Sequence, residues 1–192
     1  MNGSYWINPT VFLIDTVFSL YLLALMLRFL LQWVEADFYN PISQFVVKLT
    51  HPPLRLARRL LPSIGRIDTA SVVLLLVVQA VGGGLLFLIQ GVEFSFGFLA
   101  LWSITQLLNL LFNIYLFSIV AVALLSWISP SPRNAVTSML HSLTAPLLRR
   151  ARRLISPIGG VDLSPLVVLI VIQFTKMLTI QPLFQLAASL NF

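Results

Sequence analysis

Residues 50–71 read THPPLRLARRLLPSIGRIDTAS, and residues 144–165 read TAPLLRRARRLISPIGGVDLSP; the two align without a gap at a displacement of 94 positions. The same displacement lays Tyr21 on Tyr115, Trp33 on Trp127, Asn40 on Asn134 and Gln79 on Gln173. Matching at one fixed offset over about 60 residues is the signature of an internal repeat. Working outward from each basic stretch, the chain turns apolar on both sides. Stretches at about 10–34, 71–90, 104–128 and 165–188 each reach the roughly 20 residues that a helix needs to cross a bilayer. They are far longer than a barrel strand and show no alternation, so helices must satisfy their backbones. The expected fold is all-α, with four transmembrane helices in two repeats, 10–90 and 104–188. Their basic segments run 40–68 and 133–162.

Composition agrees. Of 192 residues, 58% are hydrophobic and 9% charged, and the mean hydropathy is +0.96; a soluble domain carries about 25% charged residues. The N-terminus, MNGSYWINPTVF, has no Lys or Arg ahead of the apolar run, so the first helix is expected to be retained rather than cleaved as a signal peptide. There are no cysteines, which removes disulfides, thiolate metal sites and thiol catalysis together.

Ten of the twelve Lys and Arg residues fall in the two basic segments, five in each; the other two are Arg28 and Lys176. The positive-inside rule then puts both segments in the cytoplasm and both termini on the periplasmic side of a bacterial inner membrane. Because each copy begins and ends on the same side, the repeats are parallel, related by an axis along the membrane normal. Tyr5, Trp6, Trp33, Tyr39, Trp102 and Trp127 fall near span ends, where amphipathic rings anchor at the headgroups.

Within each basic segment, Asn40-Pro41 and Asn134 read as helix starts. Ile42, Phe45, Val46 and Leu49 form an apolar stripe, repeated as Val136, Met139, Leu140 and Leu143. The prolines at 52–53 and 146 predict a break, followed by a second short helix. That helix carries Arg55, Arg58 and Arg59, matched by Arg149, Arg152 and Arg153, a pattern suited to an anionic leaflet. Anionic phospholipids are therefore the expected partner of the arginines, through general headgroup contact or a specific lipid or protein site. Asp68 and Asp162 stand just before the second and fourth spans, where a carboxylate can cap a helix, pair with the nearby arginines, or bind a proton or cation.

The second copy, SWISPSPRNAV followed by TAPLLRRARRLISPIGGVDLSP, resembles the repeat of the YggT family of bacterial and plastid membrane proteins. The first, DFYNPISQFVVKLTHPPLRLARRLLPSIGRIDTAS, is similar to the gammaproteobacterial branch of that family. The resemblance rests on the Arg-Arg-Leu run, the Gly and Asp that follow, and Ser164-Pro165 at the start of the last helix. The first copy departs by having Ala70-Ser71 there. The resemblance implies a non-enzymatic membrane protein tied to osmotic-stress tolerance and ion homeostasis, with relatives in cell division and plastid cytochrome assembly. A membrane-protein complex or a homo-oligomer fits that implication.

No catalytic constellation and no cofactor motif is legible, so neither is expected. His51 and His141 are not repeat-equivalent and lack HExxH or cysteine companions, which argues against a metal site. Nucleic acid is not expected either, since the basic charge lies on a membrane face with no groove-reading module. Ionisable residues inside spans remain functional candidates. Asp15 is expected near the outer surface, and Arg28 is expected to extend toward the cytoplasmic headgroups. Lys176 lies near mid-membrane. Either it enters a gap at Gly82 and Gly83 between the second and fourth spans, with Gln79 as partner and Gln173 in the repeat-equivalent position, or it snorkels outward. Two functions follow: a small pore or transporter modulator supporting ion homeostasis, or a scaffold that recruits partners through the duplicated basic surface.

Overall fold

A computed structural model describes residues 3–65, 67–128, 134–154 and 162–191. The side chains of Tyr5, Trp6 and Trp127, and the whole of Arg66, Arg133 and 155–161, lie outside the described residues. Six helices follow in order: α1 (Gly3–Trp33), α2 (Pro41–Leu60), α3 (Thr69–Gln90), α4 (Phe96–Ile128), α5 (Ala135–Leu154) and α6 (Ser164–Ser189). Segments Asn8–Trp33, Thr69–Gln90, Phe96–Ser126 and Ser164–Ser189 are long and apolar enough to cross a membrane. The protein is an all-α, multi-pass membrane protein, and the order long, basic, long occurs twice.

The helices differ from the sequence reading in where they begin and in whether the prolines divide them. The helix expected from about 104 begins at Phe96, because Ser95 caps it: Phe98 N–H donates to Ser95 Oγ (3.1 Å) and Leu99 N–H to Ser95 O (3.0 Å). The prolines at 52, 53 and 146 do not divide the basic segments, and α2 and α5 are each one continuous helix. Pro52 and Pro53 remove two backbone donors, but burial runs through the break. Ser43, Val46, Thr50 and Leu54 form one buried ladder on α2, while Thr137, Leu140, Thr144 and Leu148 form its counterpart on α5. Tertiary packing along that face holds the helix together where local propensity would end it.

The expected apolar stripe is partly kept on α5, where Leu140 and Leu143 are buried and Val136 is exposed, and is rotated on α2. Of Ile42, Phe45, Val46 and Leu49, only Val46 is buried, and Phe45 and Leu49 are exposed. At about 100° per residue, Phe45, Leu49, Leu56 and Leu60 share one outward face of α2. At the start of α2, Asn40 Oδ1 accepts from Ile42 N–H (2.9 Å), and Asn40 Nδ2 donates across to Ala135 O (2.6 Å), tying the two basic helices side by side.

Helix α3 lies between α1 and α4, whereas α6 packs on α4 and α5. Among the described residues α3 and α6 do not touch, so the expected meeting of the second and fourth spans does not occur. The space beside the glycines is filled instead. A Cβ at Gly82 would run into the Phe18 ring, and one at Gly83 would run into Trp102. Trp102 is held edge-on against Phe87, with ring centroids 5.0 Å apart. Small residues here permit the close helix approach that membrane packing favours. On the face opposite the arginines, the link into α4 is latched to the chain end: Ser95 N–H donates to Asn191 Oδ1 (2.9 Å) and Ser95 Oγ to Leu190 O (2.6 Å).

Candidate functional site

Polar side chains converge at two levels of the molecule. The first is a cleft of ≈ 290 Å³ between α1, α3 and α4, where Asp15, Ser19, Gln79, Gln106, Asn109 and Asn113 are found. Gln79 stands about 15 Å from either end of α3, at 1.5 Å rise per residue, and so at mid-span. Along the same helices toward the arginine face, Leu25, Met26, Leu75 and Ile114 are buried in one apolar cluster. Lys176 approaches from α6, and its Nζ donates to Asn113 Oδ1 at 2.5 Å. Its partner is thus an amide of α4, not Gln79. Gln173 is exposed on α6 beside a separate concavity of ≈ 440 Å³ that also holds Gln181 and Gln185. The repeat-equivalent glutamines are therefore not brought together.

The second level is the arginine face. Asp68 is 2% exposed and is held by Arg58, which donates to its Oδ2 from Nε (3.2 Å) and Nη2 (2.5 Å). Arg58 Nη2 also donates to Gln32 Oε1 (3.2 Å), and Ser71 Oγ donates to Asp68 Oδ2 (2.6 Å). Burial alone would raise the Asp68 pKa, but the Arg58 and Ser71 hydrogen bonds outweigh it and hold the carboxyl below its usual range. The turn that delivers Asp68 is tight: Ile64 and Ile67 exchange backbone hydrogen bonds of 3.1 Å, with Gly65 at φ 60° between them.

The second repeat repeats the pair with less burial. Arg152 Nε donates to Asp162 Oδ2 (2.8 Å), and Asp162 Oδ1 accepts from Ser164 N–H (2.9 Å). Burial raises the Asp162 pKa, and Ser164 and Arg152 lower it further than that, leaving it below the ordinary value. Ser164 is buried, and Pro165 follows it in the first turn of α6. Asp68 makes no side-chain cap to α3. Arg55, Arg59, Arg149 and Arg153 are exposed, so the three arginines of each copy divide between an ion pair and the surface.

A family model described as CCB3/YggT matches the chain twice, over residues 7–89 and 101–183. The chain belongs to the CCB3/YggT family. It is 38% identical over 179 residues to an uncharacterized protein of Pseudomonas aeruginosa, covering 92% of this chain and 90% of that one. A protein of Vibrio alginolyticus, described by its place in the proC 3' region, is 40% identical over 174 residues, 89% of this chain and 93% of its own. The YggT protein of Escherichia coli K12 is 37% identical over 173 residues, 88% of each chain. No solved structure matches.

For this family member the sequence reading missed the partner that Arg28 finds on α2. Arg28 is 5% exposed and lies inside the protein, where its Nη1 donates to Val47 O (3.0 Å) and Thr50 Oγ1 (2.9 Å). Extension toward the headgroups was expected because Arg28 is close to the end of α1, but α2 folds back over that end and its Val47 and Thr50 oxygens hold the guanidinium. Thr50 was no signal for this contact, since Thr144 stands at the equivalent place and bonds only Leu140 O of its own helix.

Proposed function

We propose that this family member supports ion homeostasis under osmotic stress, as a small gated pathway in the bacterial inner membrane, without catalysis. The observation that carries the reading is the mid-span cleft: a carboxylate, four amides and a serine share one cavity at the depth where lipid would make them costly. Amide and carboxylate oxygens can replace part of an ion's hydration shell. The apolar layer of Leu25, Met26, Leu75 and Ile114 is the gate in this reading, and a shift of α1 against α4 would open it. Purified protein in liposomes is expected to pass monovalent ions when an osmotic gradient is applied, and Asn109→Leu is expected to abolish the flux. Flux equal to that of empty vesicles overturns the proposal. In the same reading the arginine face is cytoplasmic, and a single cysteine at Asn191 should react with an impermeant thiol reagent in intact spheroplasts; reaction only after lysis would reverse that orientation.

A scaffold for division or cytochrome-assembly complexes is the second reading, favoured by the exposed Arg55, Arg59, Arg149 and Arg153. It expects no flux, and it expects co-purification of a membrane complex that is lost when these four are changed to Gln.

A further inference from the structure

A cavity of ≈ 740 Å³ opens on the arginine face of the first repeat. Arg28 and Gln32 reach it from the last turns of α1, Gln44, Lys48 and Arg58 from α2, and Ser63 from the link before α3. Arg58 is neutralised by Asp68. Arg28 and Lys48 remain, and among the described residues no carboxylate lines the space. Among the described residues, both hydrogen bonds of Arg28 leave from Nη1 and end on neutral oxygens. The Asp68 carboxylate reaches Arg28 only through space and is already held by Arg58, and a buried guanidinium with no anion bonded to it is costly.

The repeat itself shows that the fold does not require this cation. At the positions of Arg28, Gln32, Gln44 and Lys48, the second copy has Val122, Ser126, Ser138 and Ser142. Val122 is 3% exposed and packs in an apolar cluster. There Thr144 Oγ1 donates to Leu140 O (2.9 Å), as Thr50 Oγ1 donates to Val46 O (2.7 Å), so the threonine needs no arginine beside it. One module therefore closes around a valine, while the other keeps a buried arginine facing a second cation across a cavity.

We propose that this cavity binds a phosphate group, with the Arg28 guanidinium and the Lys48 ammonium holding its oxygens and Gln32, Gln44 and Ser63 supplying neutral donors. Arginine's planar fork matches a tetrahedral oxyanion through paired N–H donors, and lysine adds a compact charge. Arg28 stands about 8 Å short of the end of α1, a depth near the glycerol and phosphate layer of a leaflet. The phosphate comes either from an anionic phospholipid headgroup or from a small soluble phosphorylated molecule.

The test uses the full chain, delipidated in a neutral detergent and titrated by native mass spectrometry and calorimetry with short-chain phosphatidylglycerol, glycerol phosphate and inorganic phosphate. One equivalent of phosphate-bearing ligand is expected to bind. Lys48→Ser, which installs the residue of the other repeat at an exposed position, should weaken it about 5-fold. Arg28→Gln should weaken it at least about 10-fold. Arg149→Gln removes the same charge far from the cavity and should leave binding unchanged. Phosphatidylglycerol binding that glycerol phosphate cannot displace identifies the headgroup as the source; displacement identifies a soluble phosphate compound. Absence of binding by all three ligands overturns the proposal, as does equal weakening by Lys48→Ser and Arg149→Gln.

Discussion

The two repeats share a frame and differ in what fills it. Thr50 and Thr144, Leu54 and Leu148, and the Arg58–Asp68 and Arg152–Asp162 pairs occupy equivalent places. Yet Asp68 is 2% exposed while Asp162 is open to solvent, and Arg28 faces a cavity while Val122 packs in a core. The glycines tell the same story. Gly82, Gly83 and Gly84 of α3 align with Lys176, Met177 and Leu178 of α6. α3 is pressed between α1 and α4, with Phe18 and Trp102 against its glycines, whereas Met177 and Leu178 are exposed on an outer helix. Equivalent positions in a duplicated chain carry different side chains where their neighbours differ.

The largest contrast is expected at the ion pairs. Arg58→Ala leaves the buried Asp68 carboxylate without its main partner and should cost about 2–3 kcal/mol, less than a fully buried pair because Arg58 itself is part-exposed, whereas Arg152→Ala should cost no more than about 1 kcal/mol. Denaturant or thermal unfolding in detergent measures both; equal losses would show that burial does not separate the repeats. Next in size is the helix interface. Gly83→Leu drives a side chain into Trp102 and should cost about 1–3 kcal/mol by overpacking. Met177→Leu, at the equivalent exposed position, should change the midpoint by less than about 0.5 kcal/mol.

Acid should reveal the same asymmetry. The folded pKa of Asp68 is depressed, so its contribution to stability is fully present above the unfolded value of about 3.9 and is lost as pH falls through the folded value. Between pH 6 and 3 (about 1 unit beyond the unfolded value at the lower end), the wild type should lose more stability than Asp68→Asn. The corresponding difference for Asp162→Asn should be smaller, because that pair is screened by solvent. The smallest effect is expected at the surface arginines: Arg55→Gln with Arg59→Gln should leave the unfolding midpoint within about 0.5 kcal/mol. A larger loss would place those side chains in the folded framework rather than on its surface.

Much of this architecture was legible in the chain alone. Four spans follow from apolar runs of bilayer length, and the duplication follows from one displacement, because both signals are local or strictly periodic. The Asn starts of α2 and α5 were legible for the same reason, since a cap is made within a turn. The proline break failed as a forecast because the burial of Val46, Thr50 and Leu54 against other helices outweighs two lost backbone donors. Arg55, Arg58 and Arg59 look alike on a helical wheel. Only Arg58, adjoining the buried face, finds Asp68 and Gln32. Nothing in the spacing of Lys176 points to Asn113, 63 residues away on a helix that composition does not orient. What the sequence determined by itself was how many spans form and which segments carry charge, since hydropathy and period are properties of contiguous residues. Which polar side chains meet inside the bilayer, and which oxygens of α2 hold Arg28, was decided by the tertiary structure, because those pairings depend on which helix faces lie against each other.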